Sequence, residues 1–139
     1  MQTSNKRESF SEIRTWEEES GLLAFLSSIH QRAKDFNNRL GFDIESVTAP
    51  LLEIDGNRET PRNVGFVLER INPLMPEFRY CLYCLLKEKV LYGYIGILKN
   101  GKMRTVRHLQ PIENFRKADA VLHRWFTQLV RASCEKIML

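Results

Sequence analysis

Apolar side chains early in the chain recur at the spacing of a helix. Between Ser20 and Gly41 they follow steps of four and three, which places them on one helical stripe. The stripe consists of Leu22, Leu26, Ile29, Ala33, Phe36 and Leu40. Ser20 is a candidate N-cap, and Gly41 lies where a left-handed residue ends a helix. The stripe also matches a short heptad, but fewer than three heptads favour core packing over helix pairing.

The middle of the chain predicts two strands around a turn. Residues 42–54 alternate between apolar and polar side chains, and Pro50 limits them to an edge or a bulge. Asp55-Gly56-Asn57 is the turn, a polar loop occupies residues 58–63, and residues 64–71 are apolar enough for the second strand. The prolines at 73 and 76 then predict a rigid connector.

The last third predicts three more strands. Residues 78–86 and 90–98 are apolar on both faces, which is typical of strands that are covered on both sides. Asn100-Gly101 predicts a two-residue hairpin leading into residues 102–109. This last strand is the least hydrophobic, which predicts an edge or exposed strand. Strict alternation puts Arg104 on one face and Arg107 on the other.

A long amphipathic helix is predicted to begin near Ile112, after Pro111. Its apolar stripe comprises Phe115, Ala118, Leu122, Trp125, Phe126, Leu129, Ala132 and Ile137. The stripe predicts packing across the sheet, with Trp125 or Phe126 deeply buried. The predicted fold class is therefore α+β, with an antiparallel sheet of about five strands packed with an N-terminal and a long C-terminal helix. Residues 1–20 are expected to form a polar arm that Trp16 anchors, and residues 21–139 a single α+β domain.

Composition indicates an ordinary globular protein. The 139 residues are 43% hydrophobic and 27% charged, and no run approaches the roughly 18 apolar residues of a membrane span. The polar N-terminus shows no apolar signal segment. The expected localisation is intracellular, cytoplasmic or nuclear, with no membrane partner. Without a secretory signal, the three cysteines are expected to be reduced thiols.

Motifs for catalysis and cofactor binding are missing from the chain. It contains no phosphate-binding glycine loop and no nucleophile elbow. Cys81 and Cys84 form a C-x-x-C within a predicted strand, which points the two thiols to opposite faces and favours buried structural cysteines. His30 is predicted to be an exposed or boundary residue. The prediction is a protein that is not an enzyme, with no catalytic residues, no metal site and no cofactor.

Positive charge is concentrated at the C-terminal end. From Lys99 onward there are nine lysines and arginines and three acidic residues, a formal charge of +6, whereas the first 98 residues carry −2. Such asymmetry indicates a polyanionic partner or an acidic protein surface, although a solvated basic surface is equally consistent. The candidate nucleic-acid-binding residues are Lys99, Lys102, Arg104, Arg107, Arg116, Lys117 and Arg124.

Tyrosines on the two preceding strands raise the possibility of base stacking. Exposed aromatic rings on a sheet can stack unpaired bases, although tyrosines in such strands are more often half-buried core residues. The four are Tyr80, Tyr83, Tyr92 and Tyr94. Antiparallel strands followed by a proline and a helix also resemble the layout of the Whirly and PUR-repeat single-strand-binding modules, a likeness from which no residue is transferred because fold does not imply function.

Two functions are compatible with this sequence. The first is a non-enzymatic nucleic-acid-binding or nucleic-acid-associated accessory protein, with single-stranded nucleic acid as the expected partner. The alternative is a protein-interaction module, such as an adaptor, chaperone or small regulator. A homodimer is expected, because two helices do not provide obvious cover for strands that are apolar on both faces.

Overall fold

The described residues form three helices and seven strands. The computed structural model describes residues 10–47, 52–59 and 64–134. The helices are α1 (Phe10–Ser20), α2 (Leu22–Leu40) and α3 (Asp119–Cys134), with a 3₁₀ turn at Phe115–Lys117. The strands are β1 (Glu45–Val47), β2 (Leu52–Ile54), β3 (Asn57–Glu59), β4 (Val64–Ile71), β5 (Arg79–Lys87), β6 (Val90–Lys99) and β7 (Lys102–His108). The predicted α+β class is confirmed.

All seven strands belong to one mixed sheet, in the order β1-β4-β5-β6-β7-β2-β3. The prediction of about five antiparallel strands was too simple. The last residue of the predicted turn and the first two of the predicted polar loop form the edge strand β3, Asn57–Glu59, and β2 pairs with β7 in parallel. β7 is therefore not an edge strand, because β2 covers the side that faces away from β6. The alternative prediction of an exposed strand agrees with the burial of β7, where alternate residues from Lys102 to His108 are exposed.

The sheet must curl, because the connections between its distant strands are short. Four residues separate Val47 at the end of β1 from Leu52 at the start of β2, so the two ends are at most about 18 Å apart. Five inter-strand steps separate these strands in the sheet, which would span roughly 24 Å if the sheet were flat. The β2–β3 hairpin consequently folds toward the face of the sheet opposite the helices.

Each face of the sheet has its own core. Helices α2 and α3 cover one face, where Cys84 and Leu82 of β5 are completely buried. On the other face Cys81 and Tyr83 pack with Ile54 of the β2–β3 hairpin. The helices and the β2–β3 hairpin of the same chain thus cover both faces of the apolar strands. The observation that motivated a homodimer is thereby removed, and the homodimer itself stays a prediction.

Helix α2 follows the predicted boundaries and most of the predicted stripe. Gly41 adopts the left-handed conformation and its N–H donates to the carbonyl of Asn37, so the predicted C-cap is confirmed. Three details were wrong. Phe25 is buried where the stripe omitted it, and Leu40 is 49% exposed because it lies in the last turn, beyond the sheet. The N-cap position is Gly21 rather than Ser20.

The C-terminal helix begins seven residues later than predicted. Ile112 instead exchanges backbone hydrogen bonds with Leu91 of β6, which holds this segment in an extended form until the 3₁₀ turn. Trp125 and Phe126 are both buried, as their place on the stripe predicted. The predicted apolar residue Ile137 lies outside the described residues.

Part of the predicted polar arm is helical. Residues 10–20 form α1, and Trp16 packs against the ring of Phe115 with centroids 6.3 Å apart. The aromatic contact anchors α1 on the helix-covered core, in agreement with the role proposed for Trp16. Residues 1–9 of the predicted arm lie outside the described part of the chain.

Burial predicts that only one of the three thiols reacts readily in the native protein. Cys134 is exposed, whereas Cys81 and Cys84 are buried. Burial raises the pKa of Cys81 to about 12 and the pKa of Cys84 further still, which suppresses the reactive thiolate. A thiol reagent should label one cysteine quickly in the native state and three after denaturation. Rapid native labelling of all three, or stoichiometric zinc, would contradict this prediction.

Candidate nucleic-acid interface

A β-bulge in β7 reverses the predicted orientation of one arginine. Arg104 pairs with Ile97 of β6, and Arg107 pairs with Ile95, while Val106 between them is the extra residue. Ile97 and Ile95 both face the helices. Because paired residues in neighbouring strands point to the same side, Arg104 and Arg107 share the helix-facing side of the sheet. Strict alternation had placed them on opposite faces.

Two glutamines connect this side of β7 to α3. Arg107 donates through Nη1 to the side-chain oxygen of Gln128 on α3, at 2.5 Å. Arg124 on α3 donates through Nη2 to the side-chain oxygen of Gln110, just after β7, at 2.9 Å. The glutamine amide orients the guanidinium of Arg124 without cancelling its charge. The end of β7 therefore lies close to residues 124–128 of α3, with an arginine on each element.

Two further cations, Lys117 and Arg131, lie near the hydrogen bonds made by Gln110 and Gln128. Lys117 lies near Gln110, since both line a cavity of about 420 Å³ at the start of α3. Arg131 is exposed and follows Arg124 by seven residues, which returns it to the same side of the helix. We call this set the basic flank, and it consists of Arg104, Arg107, Lys117, Arg124 and Arg131.

Three of the predicted binding residues lie elsewhere. Lys99 extends over the ring of Phe78, 5.2 Å from its centroid, and the Nζ of Lys102 lies 3.8 Å from a carboxylate oxygen of Glu53. Both belong to the β6–β7 hairpin and lie outside the basic flank as defined, on the same side of the sheet as Arg104. Arg116 turns the other way and donates to the carbonyls of Glu18 and Glu19 at the end of α1. Its guanidinium satisfies a helix C-terminus.

The strand tyrosines do not join the basic flank. Tyr80 is buried under the helices. Tyr83 and Tyr94 are stacked on the opposite face of the sheet, with centroids 5.2 Å apart, and Tyr92 shares that face because it is two residues from Tyr94. The combination of aromatic rings and cations on one surface, which would have supported base stacking, is absent from the described structure.

A hydrogen-bonded chain that the sequence did not reveal fastens the β2–β3 hairpin. The carboxylate of Asp55 accepts from the backbone N–H of Thr105 at 2.8 Å and from its hydroxyl at 2.6 Å. These bonds lower the pKa of Asp55. The hydroxyl of Tyr83 meets the same threonine, and burial raises the pKa of Tyr83 to about 12. The chain holds the hairpin over the second core.

Two other juxtapositions resemble sites but lack essential parts. The Nδ1 of His30 lies 2.5 Å from the hydroxyl of Ser46, yet both residues are exposed. Among the described residues no acid orients the histidine, as a nucleophile–base pair requires. A cavity of about 510 Å³ separates α2 from α3, but Arg32 and Asp119 on its rim pair with each other. Neither arrangement indicates a reaction.

Comparison with known proteins adds no relative to this picture. No protein-family model, curated protein or solved structure matches the chain. The layout likeness to Whirly and PUR-repeat modules therefore transfers no function. Within the described part of the chain, no helix has the length and apolar character needed to cross a membrane. The function has to be argued from the arrangement of side chains alone.

Proposed function

We propose that the protein binds the phosphate backbone of nucleic acid through the basic flank and catalyses no reaction on it. The observation that carries this proposal is the bulge at Val106, which puts Arg104 and Arg107 on the same side of the sheet, where Arg107 contacts α3. Arginine guanidinium groups bind phosphate oxygens in pairs of parallel hydrogen bonds. A surface that combines arginines from a strand and a helix suits a chain of phosphates.

The cations of the basic flank form two rows that come together near Gln110 and Gln128, whereas the far end of α3 reaches β4, where Ser133 accepts a hydrogen bond from Arg70. On α3, Arg124 and Arg131 are separated by about 10 Å, the rise of seven helical residues. On β7, the bulge sets Arg104 and Arg107 opposite Ile97 and Ile95, so they are about 7 Å apart, the rise of two strand residues. The contacts of Arg107 with Gln128 and of Arg124 with Gln110 hold the two rows together at that point. A phosphate backbone lying between the rows would meet arginines from both.

The proposed binding is independent of base sequence. Phosphate contacts position a nucleic acid without reading it, and sequence is read through base edges or stacked bases. The tyrosines that were candidates for base stacking lie away from the basic flank. Base stacking on tyrosines therefore no longer supports a preference for single strands. The proposed ligand is the phosphate backbone, which single strands and duplexes have in common.

Removing three cations from the basic flank should weaken binding and flatten its salt dependence. The variant replaces Arg104, Arg124 and Arg131 by glutamine, and fluorescence anisotropy measures binding to a labelled single strand and to a duplex over a range of salt. The slope of log K against log salt is about −0.7 per phosphate for single strands and about −0.9 for duplexes. Loss of three contacts should therefore flatten it by roughly 2 to 3 units.

A matched control separates local contacts from net charge. Lys34, Arg39 and Lys87 are exposed and lie on α2 and at the end of β5, so their replacement by glutamine removes the same charge from other surfaces. This control should retain most of the wild-type slope. Equal effects of the two triple variants, or no binding by the wild type at low salt, would refute the proposed interface.

The protein-interaction alternative is weakened by the packing of the sheet. Its main support was apolar strand faces in need of cover, and both faces are covered within the chain by helices and by the β2–β3 hairpin. The apolar stripe of α2 is likewise buried in the core along most of its length. An acidic protein surface remains a proposed partner of the basic flank only if nucleic acid fails to bind.

A further inference from the structure

The connector between β4 and β5 exposes apolar side chains at its tip. Leu74 is 63% exposed and Ile71 is 45% exposed, while Pro73 and Pro76 are exposed and Met75 is half-buried. We call this set, Ile71, Pro73, Leu74, Met75 and Pro76, the apolar tip. Contiguous exposed apolar residues on a globular protein commonly mark a binding surface, whereas single ones need no explanation.

The connector is held in a defined shape by its own hydrogen bonds. Asn72 is completely buried, and its side-chain oxygen accepts from the backbone N–H groups of Leu74 and Met75 at 2.8 and 3.2 Å. Phe78 closes the loop by donating to the carbonyl of Met75 at 3.0 Å. The apolar tip is thus preorganised, so binding through it would cost little conformational entropy.

Cations surround the apolar tip at the same end of the sheet. Arg79 begins β5 and pairs in register with Leu98, next to Lys99 at the end of β6. Lys99 in turn pairs with Lys102 at the start of β7. The side chains of Arg79 and Lys102 are 50% and 75% exposed, and each also pairs with a carboxylate, Arg79 with Glu69 at 2.8 Å and Lys102 with Glu53 at 3.8 Å. The β4–β5 connector and the β6–β7 hairpin therefore lie side by side and combine apolar and basic groups.

We propose that the apolar tip and the adjoining lysines dock on an anionic phospholipid bilayer. Apolar side chains enter the boundary between headgroups and acyl chains, while basic residues near an anionic surface are attracted to its phosphates. A net charge of +4 and a sequence pI of about 9.1 favour such a surface over a neutral one. The expectation of no membrane partner, which considered only spanning segments, is revised by this proposal.

Protein occupants suit the apolar tip less well. A symmetric contact with a second copy would bring the same patch of each chain together, so Lys99 and Lys102 of one copy would face those of the other. Another protein would have to bury about 800 Å² on this side for a stable contact. One short connector provides only part of that area, whereas a bilayer accepts a few inserted side chains.

Vesicle sedimentation tests the proposal directly. The full chain should bind vesicles of phosphatidylserine mixed with phosphatidylcholine and should bind phosphatidylcholine vesicles much more weakly. Leu74→Ser should lower the partition coefficient about tenfold, the loss expected when roughly two methylene groups leave the apolar layer. Replacing Lys99 and Lys102 by glutamine should lower it about fivefold for each residue. Circular dichroism should show that each variant is folded, since the replaced side chains are exposed.

Matched controls make the test specific. Leu23 is 44% exposed at the start of α2, so Leu23→Ser removes the same side chain from another surface and should leave binding unchanged. Replacing Lys34 and Lys87 by glutamine should have a smaller effect than replacing Lys99 and Lys102. The proposal fails if the wild type does not bind the anionic vesicles, or if Leu74→Ser binds as well as Leu23→Ser. Neither result bears on nucleic-acid binding by the basic flank.

Discussion

Trp125→Ala is expected to lower the free energy of unfolding by about 3–5 kcal/mol. The indole is 1% exposed and lies between the sheet and α3. Its Nε1–H donates to the carbonyl of Gln110 at 2.9 Å, and its ring is 6.3 Å from that of Phe66. Truncation therefore leaves a cavity in the helix-covered core and an unsatisfied carbonyl where β7 meets α3.

Urea denaturation followed by circular dichroism would measure this loss. Trp16→Ala is a suitable control. Because Trp16 is only half-buried, its replacement should lower the free energy of unfolding by less. Trp125→Phe should cost less than Trp125→Ala, since it keeps an aromatic ring and loses the hydrogen bond to Gln110, worth about 1 kcal/mol. A Trp125→Ala effect below that of Trp16→Ala would mean that α3 packs on the sheet along a different line.

Gly93→Ala is expected to destabilise the fold by about 1–3 kcal/mol, although it adds a single methyl group. A Cβ at this position of β6 would lie 2.5 Å from Cζ2 and 2.7 Å from Cε2 of Trp125. Contacts of that length are far inside the van der Waals distance, so the indole or the strand would have to move. The glycine is required here because the tryptophan ring lies against the backbone of the strand.

A double-mutant cycle tests the cause of this effect. Trp125→Ala removes the ring that blocks the new methyl group, so Gly93→Ala should cost less in that background than in the wild type. The coupling energy should fall within the roughly 0.5–3 kcal/mol found for residues in contact. If Gly93→Ala costs the same in both backgrounds, the contact with Trp125 does not explain the glycine.

Local signals predicted the strands and turns that depend on neighbouring residues. Asn100 and Gly101 both have positive φ, as the hairpin prediction required. The turn at Glu88 and Lys89 also has positive φ at both residues, yet neither residue type is a usual signal for that conformation. Tight connections and periodic apolar stripes are short-range features, and for that reason they can be recognised without tertiary information.

The basic flank was only partly predictable. Charge counting identified Arg104, Arg107, Lys117 and Arg124 as a group, but it also included Arg116, whose guanidinium binds the end of α1. Alternation separated Arg104 from Arg107, because a bulge of one residue leaves no clear mark in the composition of a strand. The predicted contribution of the strand tyrosines to this surface was not found. Whether a tyrosine is exposed depends on which face of the sheet each core covers, and the sequence does not show this.

The sequence by itself determined the α+β class, helix α2 with its C-cap, the β5–β6–β7 meander and the buried stripe of α3. These follow from periodicity and turn chemistry, which act over a few residues. Tertiary structure decided the parallel pairing of β2 with β7, the curl of the sheet, and the side of β7 on which Arg107 lies. Strand pairing between distant segments depends on chain reach and on competition for the same sheet edge. A local sequence pattern does not show chain reach or competition for a sheet edge. The basic flank depends on both, because they decide how the strands pair.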